Sequence, residues 1–430
     1  MGVALVLAAV VWQWLAIASA WTAPYIDYDT QIFQQIADQP FGIELLVQAK
    51  PLLVPLVHRI AGNDPGTVVT IQSAMSLVAW ASLGITIVLA VQRVWVRALA
   101  AIVCVSFVLA PARMGFTASL LSESIDDSMM ALVLACVINI ARVTGTRARR
   151  VVAAITVAIS LLWLVTRDTN VPVAIVAALS AILAWGRHRD RRAWLVVAGV
   201  IAAAGFASWT ASRPHTLLAY QDNWYPRFSP RAMYPLVDNV TMRVYSDDPD
   251  ALPADVKTFV SSNEINVESL VRAGPEHRAT QDWIVDHGLS TYASWWLHHP
   301  FARLGEIVDN RWTVLASPLL KYMPKGWTGH ASLLRRVTSK HEVLLVLLLA
   351  SPLLLWRPRA HLLRGVALCM LTSGLAGVVV AYYGDVAEVA RHCYGVGQQV
   401  VLALFIALIA WLDTVELPAT LRAKLRRGAG

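Results

Sequence analysis

The sequence predicts an all-α polytopic membrane protein with about ten transmembrane helices and a large extracytoplasmic loop region of short helices. Of its 430 residues, 57% are hydrophobic and only 15% are charged, and the mean hydropathy is +0.54. A soluble core does not need so much apolar sequence, whereas a set of bilayer-crossing helices does. The net charge of +8 comes largely from arginines in short runs between apolar segments. That pattern is typical of topology signals, so we expect no nucleic-acid partner.

Apolar runs of roughly 17 to 25 residues, with some shorter ones, mark the candidate membrane-spanning helices. These runs cover residues 3–20, 71–91, 97–111, 128–141, 151–166, 171–185, 194–211, 342–356, 365–383 and 394–412. The first run could also be a signal peptide ending in Ala18-Ser19-Ala20, but no positively charged segment precedes it. We therefore expect it to remain as the first helix.

The positive charges between these runs predict the orientation of the chain. When alternate gaps are assigned to the cytoplasm, seventeen lysines and arginines fall on that side. They are Arg93, Arg97, Arg142, Arg147, Arg149, Arg150, Arg187, Arg189, Arg191, Arg192, Arg357, Arg359, Arg364, Arg422, Lys424, Arg426 and Arg427. The short gaps on the other side contain only Arg113, Arg167 and Arg391. The positive-inside rule then predicts a multi-pass protein of the plasma (inner) membrane with both termini in the cytoplasm.

Three regions follow from this topology. Residues 1–211 form an N-terminal transmembrane bundle that includes a first outer loop, 21–70. Residues 212–341 form an extracytoplasmic loop domain, and residues 342–430 hold the last transmembrane helices and a basic cytoplasmic tail. Within the loop domain, helical periodicity over 279–317 predicts short helices at the membrane interface, where tryptophan is favoured. Frequent Pro, Asn and Asp over 214–255 predict ordered loop with little regular structure.

Each short outer gap carries an arginine beside acidic residues. Charged groups drawn toward the hydrocarbon cost up to a few kcal/mol each, so they need partners or a polar cavity. The charged residues of these gaps are Arg113 with Glu123, Asp126 and Asp127; Arg167 with Asp168; and Asp385, Glu388 and Arg391 with His392. Each arginine could simply pair with its neighbouring acid. Taken together with Asp27, Asp29 and Lys50 of the first outer loop, however, these residues predict one shared polar site.

Several cations beside one or two carboxylates suit transfer of a group from a phosphate. Arginine offers a bidentate fork to phosphate and lysine a point charge. A carboxylate can take the proton of an acceptor hydroxyl, a contribution of roughly 10² to 10⁴ in rate. With a lipid-linked phosphate as leaving group, the cations also stabilise the charge that develops on it.

The motifs of the outer loops resemble those of a known family. Asp29-Thr30-Gln31-Ile32-Phe33, followed by Lys50-Pro51-Leu52-Leu53, is similar to the first outer loop of the C-type (GT-C) integral-membrane glycosyltransferases. The branch that it resembles contains the protein O-mannosyltransferases and the lipid A aminoarabinose transferases. Ser122-Glu123-Ser124, Arg391-His392 and the His299-Pro300 helix are also similar to features of that family. Thr30 replaces the usual second acid, and Phe33 replaces a tyrosine.

The resemblance implies a role for each residue. Asp29 would be the catalytic base, supported by Asp27, although Asp27 could instead cap the following helix. Lys50, Arg391 and His392 would contact the donor phosphate or sugar, while headgroup anchoring is the alternative for Arg391 and His392. Arg167, Arg113 and Glu123 would complete the donor site, and Glu123 could instead cap its own helix.

The activity expected from the resemblance is that of an inverting glycosyltransferase. It would move mannose, arabinofuranose or a similar sugar from a polyprenyl-phosphate donor to an envelope glycan, glycolipid or protein on the outer face. A transporter or flippase of a lipid-linked sugar is a second interpretation. A transporter would need charged or broken positions at mid-membrane and usually has repeated halves, whereas here the charges lie at the outer ends and the sequence shows no repeat. A third is a non-catalytic membrane assembly protein.

Cysteine and histidine patterns indicate no cofactor and no structural metal. Cys104, Cys136, Cys369 and Cys393 lie far apart, and the eleven histidines show no ligand spacing such as His-Glu-x-x-His. No pattern points to a divalent cation. The lipid-linked sugar would be a substrate.

Overall fold

The described part of the chain consists of helices joined by turns. The computed structural model describes residues 2–18, 24–42, 45, 48, 50–143, 145–185, 199, 203, 205, 230–262, 277–316, 341–355, 362–384 and 389–414. The helices of the N-terminal part are α1 (Gly2–Ala18), α2 (Tyr28–Ala37), α3 (Leu53–Ile60), α4 (Pro65–Ala90), α5 (Val94–Val108), α6 (Pro111–Thr117), α7 (Ser122–Arg142), α8 (Thr146–Leu164) and α9 (Asn170–Trp185). The later helices are α10 (Pro230–Asn239), α11 (Ala254–Ser262), α12 (Arg278–Trp283), α13 (Leu289–His298), α14 (Pro300–Asp309), α15 (Arg311–Ala316), α16 (His341–Leu355), α17 (Leu362–Gly384) and α18 (Val389–Thr414).

The predicted membrane segments coincide with helices wherever the structure describes them. Among the described residues, α4, α17 and α18 are long and apolar enough to cross a membrane, with 26, 23 and 26 residues. The apolar helices α1, α5, α9 and α16 are shorter. The predicted span over 194–211 lies outside the described residues, apart from 199, 203 and 205. The described part of the chain is therefore helical and includes three helices that could span a bilayer.

Glycines let the C-terminal helices approach closely. A Cβ atom at Gly377 of α17 would lie 2.7 Å from side-chain atoms of both Val173 and Val396, and one at Gly374 would lie 2.9 Å from Val400. Small residues at helix contacts of this kind are typical of membrane bundles. The contact fixes α17 between α9 and α18.

The opposite end of α18 closes the bundle at the turn between α4 and α5. The Asp413 carboxylate accepts hydrogen bonds from the backbone nitrogens of Gln92 and Arg93, both at 2.9 Å. These nitrogens precede α5, where N–H groups have no partner within their own helix. A side chain of α18 thus caps α5 at the predicted cytoplasmic end.

At the predicted outer end, backbone hydrogen bonds tie the first loop to two other turns. Tyr25 N donates to Ala118 O at 3.3 Å, and Leu120 N donates to Tyr25 O at 2.9 Å. Leu53 N donates to Val165 O at 3.0 Å. The chain entering α2 is therefore held beside the start of α7, and α3 is held beside the turn between α8 and α9.

The loop domain contains more helix than its composition predicts. Residues 278–316 form α12 to α15 as expected, with the break at His299. The prediction of little regular structure over 214–255 is wrong where the structure describes it, because α10 runs from Pro230 and continues as helical turns to residue 247. Its apolar stripe of Val237, Val240 and Val244 is buried, and Pro230 occupies a first-turn position that proline tolerates. Packing has therefore outweighed the loop-like composition.

Candidate functional site

Helix α2 carries Asp29, and a buried threonine fixes the position of that helix. Thr30 is completely buried, and its Oγ1 donates to Leu120 O at 3.0 Å. The same oxygen accepts from Asp27 N at 3.1 Å. Thr30 thus holds the start of α2 against the turn that leads into α7. The carboxylate of Asp29 is thereby placed close to the first turn of α7.

Asp29 is paired through both of its carboxylate oxygens. Lys50 Nζ lies 2.7 Å from Oδ1, and Arg391 Nη2 lies 2.6 Å from Oδ2. Asp29 and Arg391 are 362 positions apart in the sequence. The structure thus brings together the predicted base and two predicted phosphate ligands.

Arg391, in the first turn of α18, is the centre of a larger ion-pair network. Its Nε donates to Glu123 Oε1 at 2.8 Å, and its Nη1 lies 3.6 Å from Asp27 Oδ2. Three carboxylates from two outer segments therefore surround one guanidinium. The ion pair of Asp27 links it to the site in addition to its backbone contact at the start of α2.

Glu123 extends the network to the turn between α8 and α9. Arg167 Nη1 lies 3.5 Å from Glu123 Oε1, and Arg167 Nη2 donates to His392 Nδ1 at 2.9 Å. Because arginine has only donors, Nδ1 of His392 must accept. Among the described residues, Glu123 Oε2 has no hydrogen-bond partner, so this oxygen does not cap the helix. Arg167 thus pairs with Glu123 across the bundle.

Seven of the eight predicted site residues lie in this one network, and Arg113 does not. Arg113 is buried, forms an ion pair with Asp127, and donates from Nε to Phe107 O at 2.8 Å. Its guanidinium lies over the Trp80 ring at 3.4 Å from the ring centroid. The local pairing considered for each outer arginine is thus observed at Arg113. Asp385 and Glu388, near Arg391 in sequence, lie outside the described residues.

Burial of the network is graded from its first-loop edge inward. The side chains of Lys50, Asp27 and Asp29 are 30%, 25% and 18% exposed, whereas Glu123 is 0% exposed. The Lys50 edge is therefore the most accessible part of the network, and Glu123 is its most buried member.

The pKa of the Asp29 carboxyl reflects competing influences. Burial raises this pKa, but the charges of Lys50 and Arg391, together with their hydrogen bonds, lower it to well below the usual range of a carboxyl. Asp29 is therefore ionised at neutral pH and holds its two cations firmly. A group with so low a pKa is a poor proton acceptor while both ion pairs persist.

Asp126, one of the charged residues of the outer gaps to which the sequence assigned no role, supports the network. Its Oδ1 accepts from Trp163 Nε1 at 3.0 Å and from Asn170 Nδ2 at 2.7 Å. Its Oδ2 lies 3.3 Å from where a Cβ atom on Gly395 would be. Asp126 lies on α7, about one turn after Glu123. It therefore holds the turn that contains Arg167 against α7, and its side chain also lies beside α18. The acidic gap contained a signal, but sequence cannot show which acid faces which helix.

His58 lies beneath α2, and no sequence pattern pointed to it. The side chain is completely buried on α3, with its ring centroid 5.8 Å from that of Phe33. In the described part of the chain, neither ring nitrogen has a hydrogen-bond partner. Burial lowers its pKa from 6.5 to about 4. Phe33, which carried part of the family resemblance, thus packs α2 onto a neutral histidine.

The described residues include no group of three or more His, Cys, Asp or Glu side chains that could hold a metal ion. No family model matches the chain, and no curated protein or solved structure matches it either.

Proposed function

We propose that the chain is an inverting glycosyltransferase that moves a sugar from a polyprenyl-phosphate donor to an acceptor hydroxyl on the extracytoplasmic side of the plasma membrane. The observation that supports the proposal best is the pair of contacts on Asp29. One carboxylate is held at 2.7 Å by Lys50 and at 2.6 Å by Arg391. A base and two phosphate-binding cations therefore lie within the reach of a single phosphosugar.

The charged side chains of the network balance one another. Three carboxylates, from Asp27, Asp29 and Glu123, face three cations, from Lys50, Arg391 and Arg167. A phosphodiester brings one further negative charge, so it must share cations that are already paired. Lys50 is the most exposed of the three, with 30% of its side chain accessible. We expect the donor phosphate to engage Lys50 first and then Arg391.

Donor binding prepares the base in this proposal. When the phosphate engages Lys50 and the Nη2 group of Arg391, these two cations hold Asp29 less strongly, and the pKa of Asp29 rises. Its carboxylate then becomes a better proton acceptor at the moment the donor is in place. Glu123 stays fully buried against Arg391 and Arg167, so the two guanidiniums keep their positions.

The transfer step is a direct displacement. The acceptor oxygen attacks the anomeric carbon on the side opposite the phosphate, and its proton passes to Asp29. The bond between the anomeric carbon and the phosphate oxygen breaks, and its electron pair stays on the polyprenyl phosphate. Lys50 and Arg391 stabilise the charge that develops on this leaving group. Attack from the opposite side inverts the configuration of the sugar.

The test uses the full-length protein reconstituted in lipid. Radiolabelled polyprenyl-phosphate sugars are offered one at a time, with cell-envelope extracts as acceptors, and covalent transfer is measured by product separation. The proposal predicts transfer from at least one donor, with inversion at the anomeric carbon.

The same vesicles distinguish the other interpretations. Movement of the labelled lipid to a protected leaflet without covalent transfer would identify a transporter. Neither transfer nor movement with any donor would favour an assembly protein. Either result would overturn the glycosyltransferase proposal.

A further inference from the structure

The amphipathic helix α14 is inverted relative to a helix on a water-facing surface. Three of its large apolar residues point outward, since Phe301 is 87% exposed, Val308 59% and Leu304 40%, while Ile307 packs against the core. Arg303 of the same helix points inward and is only 9% exposed. A helix against water normally buries its apolar stripe and exposes its charges.

The inward face of α14 is held by polar contacts. Arg303 Nη1 lies 2.8 Å from Asp247 Oδ2 and 2.8 Å from Glu306 Oε1. Its guanidinium stacks over Trp295 at 3.8 Å from the ring centroid. These contacts leave no room for the apolar stripe to turn inward, so its exposure is a fixed property of the fold.

Two further hydrogen bonds place α14 at the end of α17, a helix long enough to cross a membrane. The hydroxyl of Tyr383 donates to Glu306 Oε2 at 3.0 Å, and Asn310 Nδ2 donates to the hydroxyl of Tyr382 at 2.9 Å. Both tyrosines belong to the last turn of α17, which ends at Gly384. Tyrosine and tryptophan favour the boundary between a bilayer and water. Helix α14 is therefore fastened at the depth where such a boundary is expected.

We propose that the outward face of α14, formed by Phe301, Leu304 and Val308, lies in the boundary between lipid headgroups and acyl chains of the bilayer leaflet at this end of the protein. A lipid surface fits because it accepts an apolar stripe without a complementary protein groove and covers a helix parallel to the membrane. Leu297, at the end of α13, is 68% exposed and adds apolar surface beside this face. The inference does not depend on the proposed transferase activity.

The test measures the surroundings of single spin labels on the full-length protein in lipid vesicles. Nitroxide labels are attached to Phe301→Cys and Val308→Cys in a background in which the partly exposed Cys136 and Cys369 are alanine. Collision of each label with oxygen, which enters the bilayer, is compared with collision with a water-soluble nickel chelate. Val78→Cys on α4, 60% exposed, serves as the bilayer reference, and the exposed Ser261→Cys on α11 serves as the water reference.

The proposal predicts that labels at 301 and 308 collide with oxygen far more than with nickel, at a depth of about 5 to 10 Å below the headgroup boundary. The label at 261 should show the reverse preference. If labels at 301 and 308 behave like the label at 261, the face meets water and the proposal fails. If they are immobile and shielded from both reagents, a second copy or another protein covers the face, and the lipid proposal is equally overturned.

Discussion

Replacing Arg391 with methionine should destabilise the protein strongly, because the arginine neutralises a completely buried acid. In Arg391→Met, Glu123 would keep only Arg167, whose Nη1 lies 3.5 Å away, while Asp29 would keep Lys50 at 2.7 Å. Breaking a buried pair by removing one partner costs about 3 to 5 kcal/mol. We therefore expect the free energy of unfolding to fall by about that amount.

A double-mutant cycle isolates the pair. Glu123→Gln alone should cost about 1 to 3 kcal/mol, because Arg391 keeps Asp27 and Asp29 while its hydrogen bond to residue 123 loses the charge of the acceptor. The double variant should cost less than the sum of the single changes by about 1 to 3 kcal/mol, since residues in direct contact couple.

The free energy of unfolding is measured at equilibrium in mixed detergent micelles. Arg149→Met is the matched control, because Arg149 is exposed and its hydrogen bonds within the described residues go to the carbonyl oxygen of Val143. It should change stability by less than about 0.5 kcal/mol. If Arg391→Met costs no more than Arg149→Met, or if the two site substitutions are additive, the reasoning about the network is refuted.

Three further predictions concern the support of the site and of the bundle. The pKa of buried His58 is about 4 in the folded state against 6.5 ordinarily, so the unfolded chain binds its proton first as pH falls. The stability that this residue contributes is therefore complete above pH 6.5 and declines toward pH 4, by about 2 kcal/mol at pH 5. His58→Leu should remove that decline when thermal unfolding is compared at pH 7.5 and pH 5. A decline of unchanged size in the variant would contradict the low pKa of His58. Asp126→Ala removes the acceptor of Trp163 Nε1 and one of the two acceptors of Asn170 Nδ2, and it should cost about 1 to 3 kcal/mol in the same unfolding measurement. Asp126→Asn keeps an acceptor oxygen and should cost clearly less; equal costs would count against the hydrogen bonds. Asp413→Ala should cost about 1.5 to 3 kcal/mol through the lost cap of α5, with Asp413→Asn as the milder comparison, and a neutral Asp413→Ala would show that the cap contributes nothing.

Much of the fold follows from local sequence. Apolar run length and arginine placement need no knowledge of distant residues, and the helices observed over α4, α17 and α18 match the runs that predict them. The prediction over 214–255 was wrong for a physical reason. The composition around Pro230 indicates a loop, but the helix is stabilised by its buried apolar residues, whose packing partners are distant in sequence.

The membership of the ion-pair network was predictable from the sequence, and its pairing was less so. Charged residues at the ends of apolar runs must find partners, and this reasoning selected Asp29, Lys50 and Arg391 together. It does not specify that Arg391 meets Asp29 and Glu123, because that depends on how α18 packs against α2 and α7. It also included Arg113, whose partner Asp127 lies fourteen positions along the chain. Its stacking on Trp80 of α4 depends on helix packing that a linear pattern does not contain.

Helix α14 shows a related limit of periodicity. The spacing of apolar residues predicts that its two faces differ, but it does not say which face is inward. If water surrounds the helix, its apolar face is expected to point inward. In the structure Arg303 points inward with its partners, and the apolar face points outward. The surrounding medium therefore has to be known before an amphipathic pattern can be oriented.

In the proposed reaction, Asp29 accepts the proton of the acceptor while Lys50 and Arg391 hold the donor phosphate. The most direct test compares Asp29→Asn with Asp38→Asn, the same change in the same loop at an exposed aspartate that accepts from Asn63 at 2.8 Å. Donor binding and sugar transfer are measured for both in lipid with the donor identified for the parent protein. We expect Asp29→Asn to retain donor binding and to lose transfer by about 10² to 10⁴ fold, while Asp38→Asn transfers at the parent rate. Undiminished transfer by Asp29→Asn would show that Asp29 is not the proton acceptor.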